Sequence, residues 1–149
     1  MSQAGRDQSV STSRRGPIPS DEEFRQAFED CAIPTAGFRH REHLRLAWIY
    51  LREWDQEGAI KRVTLGIQRY AHRNGSSQKY HETLTQAWVR IVALAIAETP
   101  QAGSFDELLT VHPHLLDMDL PLRHFSRDLL WSDSARGRWV EPDLRGFPS

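Results

Sequence analysis

Three histidines are placed where they could share one piece of chemistry. His40 and His43 open the stretch GFRHREHLRLAWIYL, residues 37–51, and His81 opens KYHETLTQAWVRIVALAIA, residues 79–97. Neutral imidazoles converging on a point suit a divalent ion such as Zn²⁺, Fe²⁺, Ni²⁺ or Mn²⁺. Three protein ligands with one open position is the pattern of a catalytic rather than a structural metal site. Glu82 adjoins His81 and is a candidate fourth ligand, orienting group or general base. Tyr80 is a candidate proton donor, and Thr85, one turn on, a hydrogen-bond partner for His81 or for a ligand. Arg39 and Lys79 flank the histidines and suit an anionic substrate near helix N-termini. Arg136, in the tail segment Ser134-Ala135-Arg136, is a candidate to close over the same pocket.

Convergence depends on the helices. Leu44, Ala47, Trp48 and Leu51 fall at i, i+3, i+4 and i+7, one apolar stripe of a helix over 39–54. One turn back from Leu44 lies His40, and one turn back from Ala47 lies His43, so both imidazoles continue the buried face. Counting back from Leu84 and Trp88 puts His81 on the inward face of a helix over 80–98. A third helix, 59–73, separates these two, carries Ile60, Val63, Ile67 and Tyr70 on one face, and ends at Asn74-Gly75. In an up-and-down bundle every second helix runs parallel. The N-termini that carry His40, His43 and His81 then lie at one end.

The rest of the chain frames that bundle. Ser20 with Glu23 fits a capping box that opens a first helix bearing Phe24, Ala27, Phe28 and Cys31. Ser104 with Glu107 fits another, before a short helix ended by Pro113. A last helix is expected over 122–131. His112-Pro113-His114 and Asp117-x-Asp119 lie in irregular chain, where they could complete the site from above. The expectation is an all-α single domain, a bundle of five or six helices over 20–131. It is preceded by a disordered segment, 1–19, and followed by an irregular tail, 132–149, in which Trp139 and Val140 can fold back onto the body.

Composition narrows the function classes. At 149 residues with a formal net charge of −1, the chain has none of the surplus positive charge on which non-specific nucleic-acid binding relies. All basic residues except Lys61 and Lys79 are arginine. The single cysteine, Cys31, excludes an intrachain disulfide and a cysteine metal cluster, and its expected role is that of a small core residue. No apolar run reaches the roughly 18 residues of a membrane span, so a cytoplasmic protein that binds no membrane is expected. The five tryptophans leave room for an apolar patch and a homo-oligomer.

The segments GFRHREHLRLAWIYL and KYHETLTQAW together resemble those of a group of small bacterial helical proteins with no established activity. The likeness covers the region from Phe24 to the tail. It implies a helical fold and adds nothing on chemistry. The Glu-x-x-His pairs of ferritin-like di-iron bundles are missing, since neither Glu29 nor Glu42 supplies one.

Two readings of function follow. One is a small enzyme with a His-lined, metal-assisted pocket for a small molecule. The other is a non-catalytic ligand-binding or regulatory module, or an interaction protein whose histidines are structural. A metal-free cluster in which the histidines act as acids and bases stands between them.

Overall fold

The computed structural model describes residues 19–148, so nearly all of the expected disordered segment, 1–19, lies outside the described residues. Within them the chain forms seven α-helices and no strand. They are α1 (Asp21–Glu29), α2 (His40–Glu53), α3 (Gln56–Arg73), α4 (Glu82–Glu98), α5 (Phe105–Val111), α6 (Arg127–Leu130) and α7 (Asp133–Gly137). Single 3₁₀ turns at Thr35–Gly37, Ser77–Lys79, Pro113–Leu116 and Leu120–Arg123 connect them. No helix among the described residues is long and apolar enough to cross a membrane.

The centre is a bundle of α2, α3 and α4, each packed on the other two. Its core holds Leu44, Ala47 and Trp48 of α2, Ile60, Val63, Ile67 and Tyr70 of α3, and Ile91, Val92 and Ala95 of α4, all buried. Each Leu, Ile or Val side chain fully removed from water contributes about 1.5–3 kcal/mol, and this is what holds the bundle together. Helix α1 lies across α2 and α3. Its Glu29 carboxylate accepts a hydrogen bond from the Tyr50 hydroxyl at 2.6 Å, and the Tyr70 hydroxyl donates to the Ile33 carbonyl just beyond it at 2.8 Å.

Helix boundaries follow their caps. Ser20 and Glu23 form the expected capping box. Helix α3 starts three residues earlier than its apolar pattern, because the Asp55 side chain accepts from the Gly58 N–H at 2.8 Å and so defines the first turn. Gly75, at φ +69°, ends that helix with its connecting turn as expected. Cys31 leaves α1 in the left-handed region, φ 56°. It is half-buried against the core rather than fully inside.

The expected helix over 122–131 is replaced by two short elements, the Leu120–Arg123 turn and α6, and α7 follows beyond it. Pro121 sits in a 3₁₀ turn, Ser126 caps α6 at the Leu129 N–H, and Ser132 caps α7 at the Ala135 N–H. Helix α7 falls in the expected irregular tail and packs on α4. Thr83, fully buried in the first turn of α4, donates its hydroxyl to the Arg138 carbonyl at 2.7 Å and accepts from the Val140 N–H at 3.1 Å. Trp139, Val140 and Phe147 then pack against a small second core of Ala87, Phe125 and Leu130.

Gly66 of α3 faces the ring of Phe28 so closely that a Cβ there would lie 2.4 Å from Cε2. Phe28 is fully buried and has no room to turn aside. Gly66→Ala should therefore destabilise the protein by about 1–3 kcal/mol through overpacking, despite the roughly 1 kcal/mol that alanine gains over glycine in a helix. Urea unfolding of the two proteins gives the sign directly.

Candidate functional site

One cavity of about 300 Å³ opens where the first turns of α2 and α4 come together. Arg39, His40 and His43 of the α2 end line it, as do Lys79, Tyr80, His81, Leu84 and Thr85 around the start of α4. The N-termini of α2 and α4 thus lie at one end, as the bundle topology predicts. Further walls come from residues not singled out as site candidates. Phe38 of the loop, Val63 and Ile67 of α3, Trp88 of α4 and Met118 of the connector all line it. No carboxylate is among the described lining side chains.

The three imidazoles are in different situations. His81 is the N-cap of α4 rather than a residue inside it. Its Nδ1 accepts from the Leu84 N–H at 3.1 Å. The proton therefore sits on Nε2, which donates to the Leu130 carbonyl at 2.7 Å. Burial holds the His81 pKa below the usual histidine value, outweighing the hydrogen bond to Leu130. His40 bonds through Nε2 to the Leu115 carbonyl at 2.9 Å, and its ring meets Trp88 at 4.5 Å, edge to face. His43 stacks on Phe38 at 4.2 Å and makes no side-chain hydrogen bond to another described residue. Burial pushes its pKa down from 6.5 to about 4, with the neighbouring His40 adding to the effect. His43 is neutral at pH 7.

The expected three-histidine metal site has no matching ligand set among the described residues. A ligating imidazole needs a free lone pair, and both ring nitrogens of His81 are engaged by the backbone. Among the described residues no group of three or more His, Cys, Asp or Glu side chains is placed to hold a metal ion. The donors present do not fit the metal centre that the histidine pattern suggests.

The expected acid–base partners also have assignments. The Tyr80 hydroxyl donates to Glu82 Oε1 at 2.6 Å. Burial and that bond raise the Tyr80 pKa above the ordinary tyrosine value, so its proton is committed to Glu82. The other Glu82 oxygen accepts from the Gln86 amide at 2.6 Å, and Glu82 does not line the cavity. Its role here is to fix Tyr80. Thr85 donates its hydroxyl to the His81 carbonyl at 2.8 Å, closing its own helical turn. Arg39 and Lys79 stand exposed at the rim. Arg136, exposed on α7, does not line the cavity and acts on the site only as a nearby positive charge that helps lower the His81 pKa. Of the connector, Met118 reaches the cavity, while His112, His114, Asp117 and Asp119 do not.

Two outcomes follow from these partners. His81→Ala removes a helix cap and leaves the Leu130 carbonyl unpaired, and should cost roughly 2–3 kcal/mol. His81→Asn keeps the cap and should recover part of that loss in thermal unfolding. Because the His43 pKa is depressed in the fold, the unfolded chain takes up a proton below pH 6.5 that the folded chain refuses until about pH 4. Stability is then complete above about pH 6.5 and falls by up to about 3 kcal/mol as the pH drops through that window. His43→Phe should flatten this part of a stability–pH curve.

Comparison with protein-family models, curated proteins and solved structures finds no match to this chain, so the chemistry of the cavity is what points to a function.

Proposed function

We propose that the protein binds a small organic anion in the cavity between the α2 and α4 N-termini and that His43 is the base acting on it. The observation that carries this reading is the contrast among the histidines. His40 and His81 are tied to backbone carbonyls, whereas His43 lines the same cavity with no described hydrogen-bond partner. Two cations, Arg39 and Lys79, and no described carboxylate line the space, which favours an anionic group at the rim. Phe38, Val63, Ile67 and Trp88 favour an apolar body behind it. A volume of about 300 Å³ suits a molecule the size of a small aromatic or branched-chain acid.

A bound anion also changes the basicity of His43. A pKa of about 4 makes His43 a weak base. An anion seated beside it favours the imidazolium and raises that value, towards the range in which general bases work best near neutral pH. Binding and proton uptake are then coupled, and affinity rises as the pH falls below neutral. Glu82 contributes by holding Tyr80 in the cavity wall.

A second reading is binding without turnover. It is favoured by the commitment of the Tyr80 proton to Glu82, which leaves His43 as the one described imidazole or phenol in the wall without a hydrogen-bond partner. Both readings are met by one experiment. A panel of small aromatic and aliphatic carboxylates is titrated into the full chain, and exchange of the carbon-bound hydrogen next to the carboxylate is followed in D₂O by NMR. Saturable binding with exchange that falls by about 10²–10⁴-fold in His43→Gln supports catalysis. Binding weakened by Arg39→Ala and Lys79→Ala but without exchange supports the module. No binding by any member of the panel, with folding intact, overturns both.

A further inference from the structure

The C-terminal half of α4 forms one wall of a second cavity of about 290 Å³, closed on the other side by the Leu120–Arg123 turn and the chain at 145–148. It shares no lining residue with the first. We infer that this cleft is a separate binding site for a small ligand bearing an oxyanion, a phosphate or a carboxylate, held between the guanidinium groups of Arg123 and Arg145.

Four observations support it. Arg123 and Arg145 come from distant parts of the sequence and both line the cleft. Neither side chain makes an ion pair or hydrogen bond to another described residue. Guanidinium forks suit the planar, bidentate recognition of carboxylate and phosphate. The wall that carries Arg145 is also built rather than loose. The His124 carbonyl accepts from the Leu144 and Arg145 N–H groups at 2.9 and 3.3 Å, the His124 Nδ1 bonds to the Arg145 carbonyl at 2.9 Å, and the ring stacks on Phe147 at 4.0 Å.

Charge is the third observation. Glu98 is the one carboxylate among the described residues that line the cleft, and it lies 4.0 Å from Nδ1 of His112, whose Nε2 is paired with the Thr99 hydroxyl at 2.6 Å. Two arginines against one glutamate make the described lining positive. Fourth, Ile91, Leu94 and Leu120 supply an apolar floor, so an anion with a hydrocarbon or aromatic body gains more than a bare ion. His114, exposed at the rim, adds a further polar contact. The site gives the His112-Pro113-His114 segment a place in the molecule that the first cavity does not.

The test uses the full chain and three probes: inorganic phosphate, phenyl phosphate and benzoate. Imidazole resonances are followed by ¹H–¹³C NMR. Saturable shifts at His112, His114 and His124 are expected, stronger for phenyl phosphate than for inorganic phosphate. Whether benzoate or phenyl phosphate binds more tightly tells a carboxylate site from a phosphate site. Arg123→Ala/Arg145→Ala should weaken binding by at least about tenfold, while Lys79→Ala should leave these shifts unchanged. Both arginines are exposed, so the double variant should keep its unfolding temperature, and Arg123→Ala alone serves if it does not. Shifts confined to His40 and His43, equal affinity in the arginine variants, or the lack of any saturable shift would each overturn the proposal.

Discussion

The His81 imidazole is the joint on which the two parts of this protein meet. One nitrogen closes the first turn of α4 and the other grips the Leu130 carbonyl. The central helix is thereby started by the same group that anchors the C-terminal wrap. Each bond fixes the proton position that the other needs, so the pair acts as a unit in a buried, low-dielectric setting. The ring also forms part of the cavity wall. The cavity therefore has its shape because a histidine that looks like a ligand is spent on architecture. That expenditure separates the roles of His40 and His81 from that of His43.

Much of the bundle was legible because its signals are local. The i, i+3, i+4 apolar stripes named the buried faces of α2, α3 and α4, and Ser20, Ser104 and Gly75 marked ends by known conformational preferences. The common end of α2 and α4 followed from alternation of direction. What could not be read is the set of backbone partners. A carbonyl such as that of Leu115 or Leu130 has no identity in a sequence, yet these two groups decide which imidazoles are free. His81 as an N-cap was hidden for a related reason. Histidine is not among the usual cap residues, so the periodicity simply extended the helix back to Tyr80.

The C-terminal part was misread because its elements are short. Helices of four or five residues bury too little to leave a periodic pattern, and polar composition between 132 and 149 argued for irregular chain. Ser126 and Ser132 were the available signals, each capping a helix at the residue three positions on. The buried hydroxyl of Thr83 carried no signal at all, since a threonine on an inward helical face reads as a tolerated polar residue.

The bonds from Thr83 to the Arg138 carbonyl and the Val140 amide have a kinetic consequence. The α2–α3–α4 bundle is made of neighbours in sequence, so its contacts close small loops and can form early. The wrap must return across 55 to 57 residues to reach the first turn of α4, and its closure entropy is offset only when a template is already in place. The order of assembly is then bundle first and wrap second. Until the wrap docks, Thr83 and Ala87 face water, and the second cleft, whose wall the wrap supplies, does not yet exist.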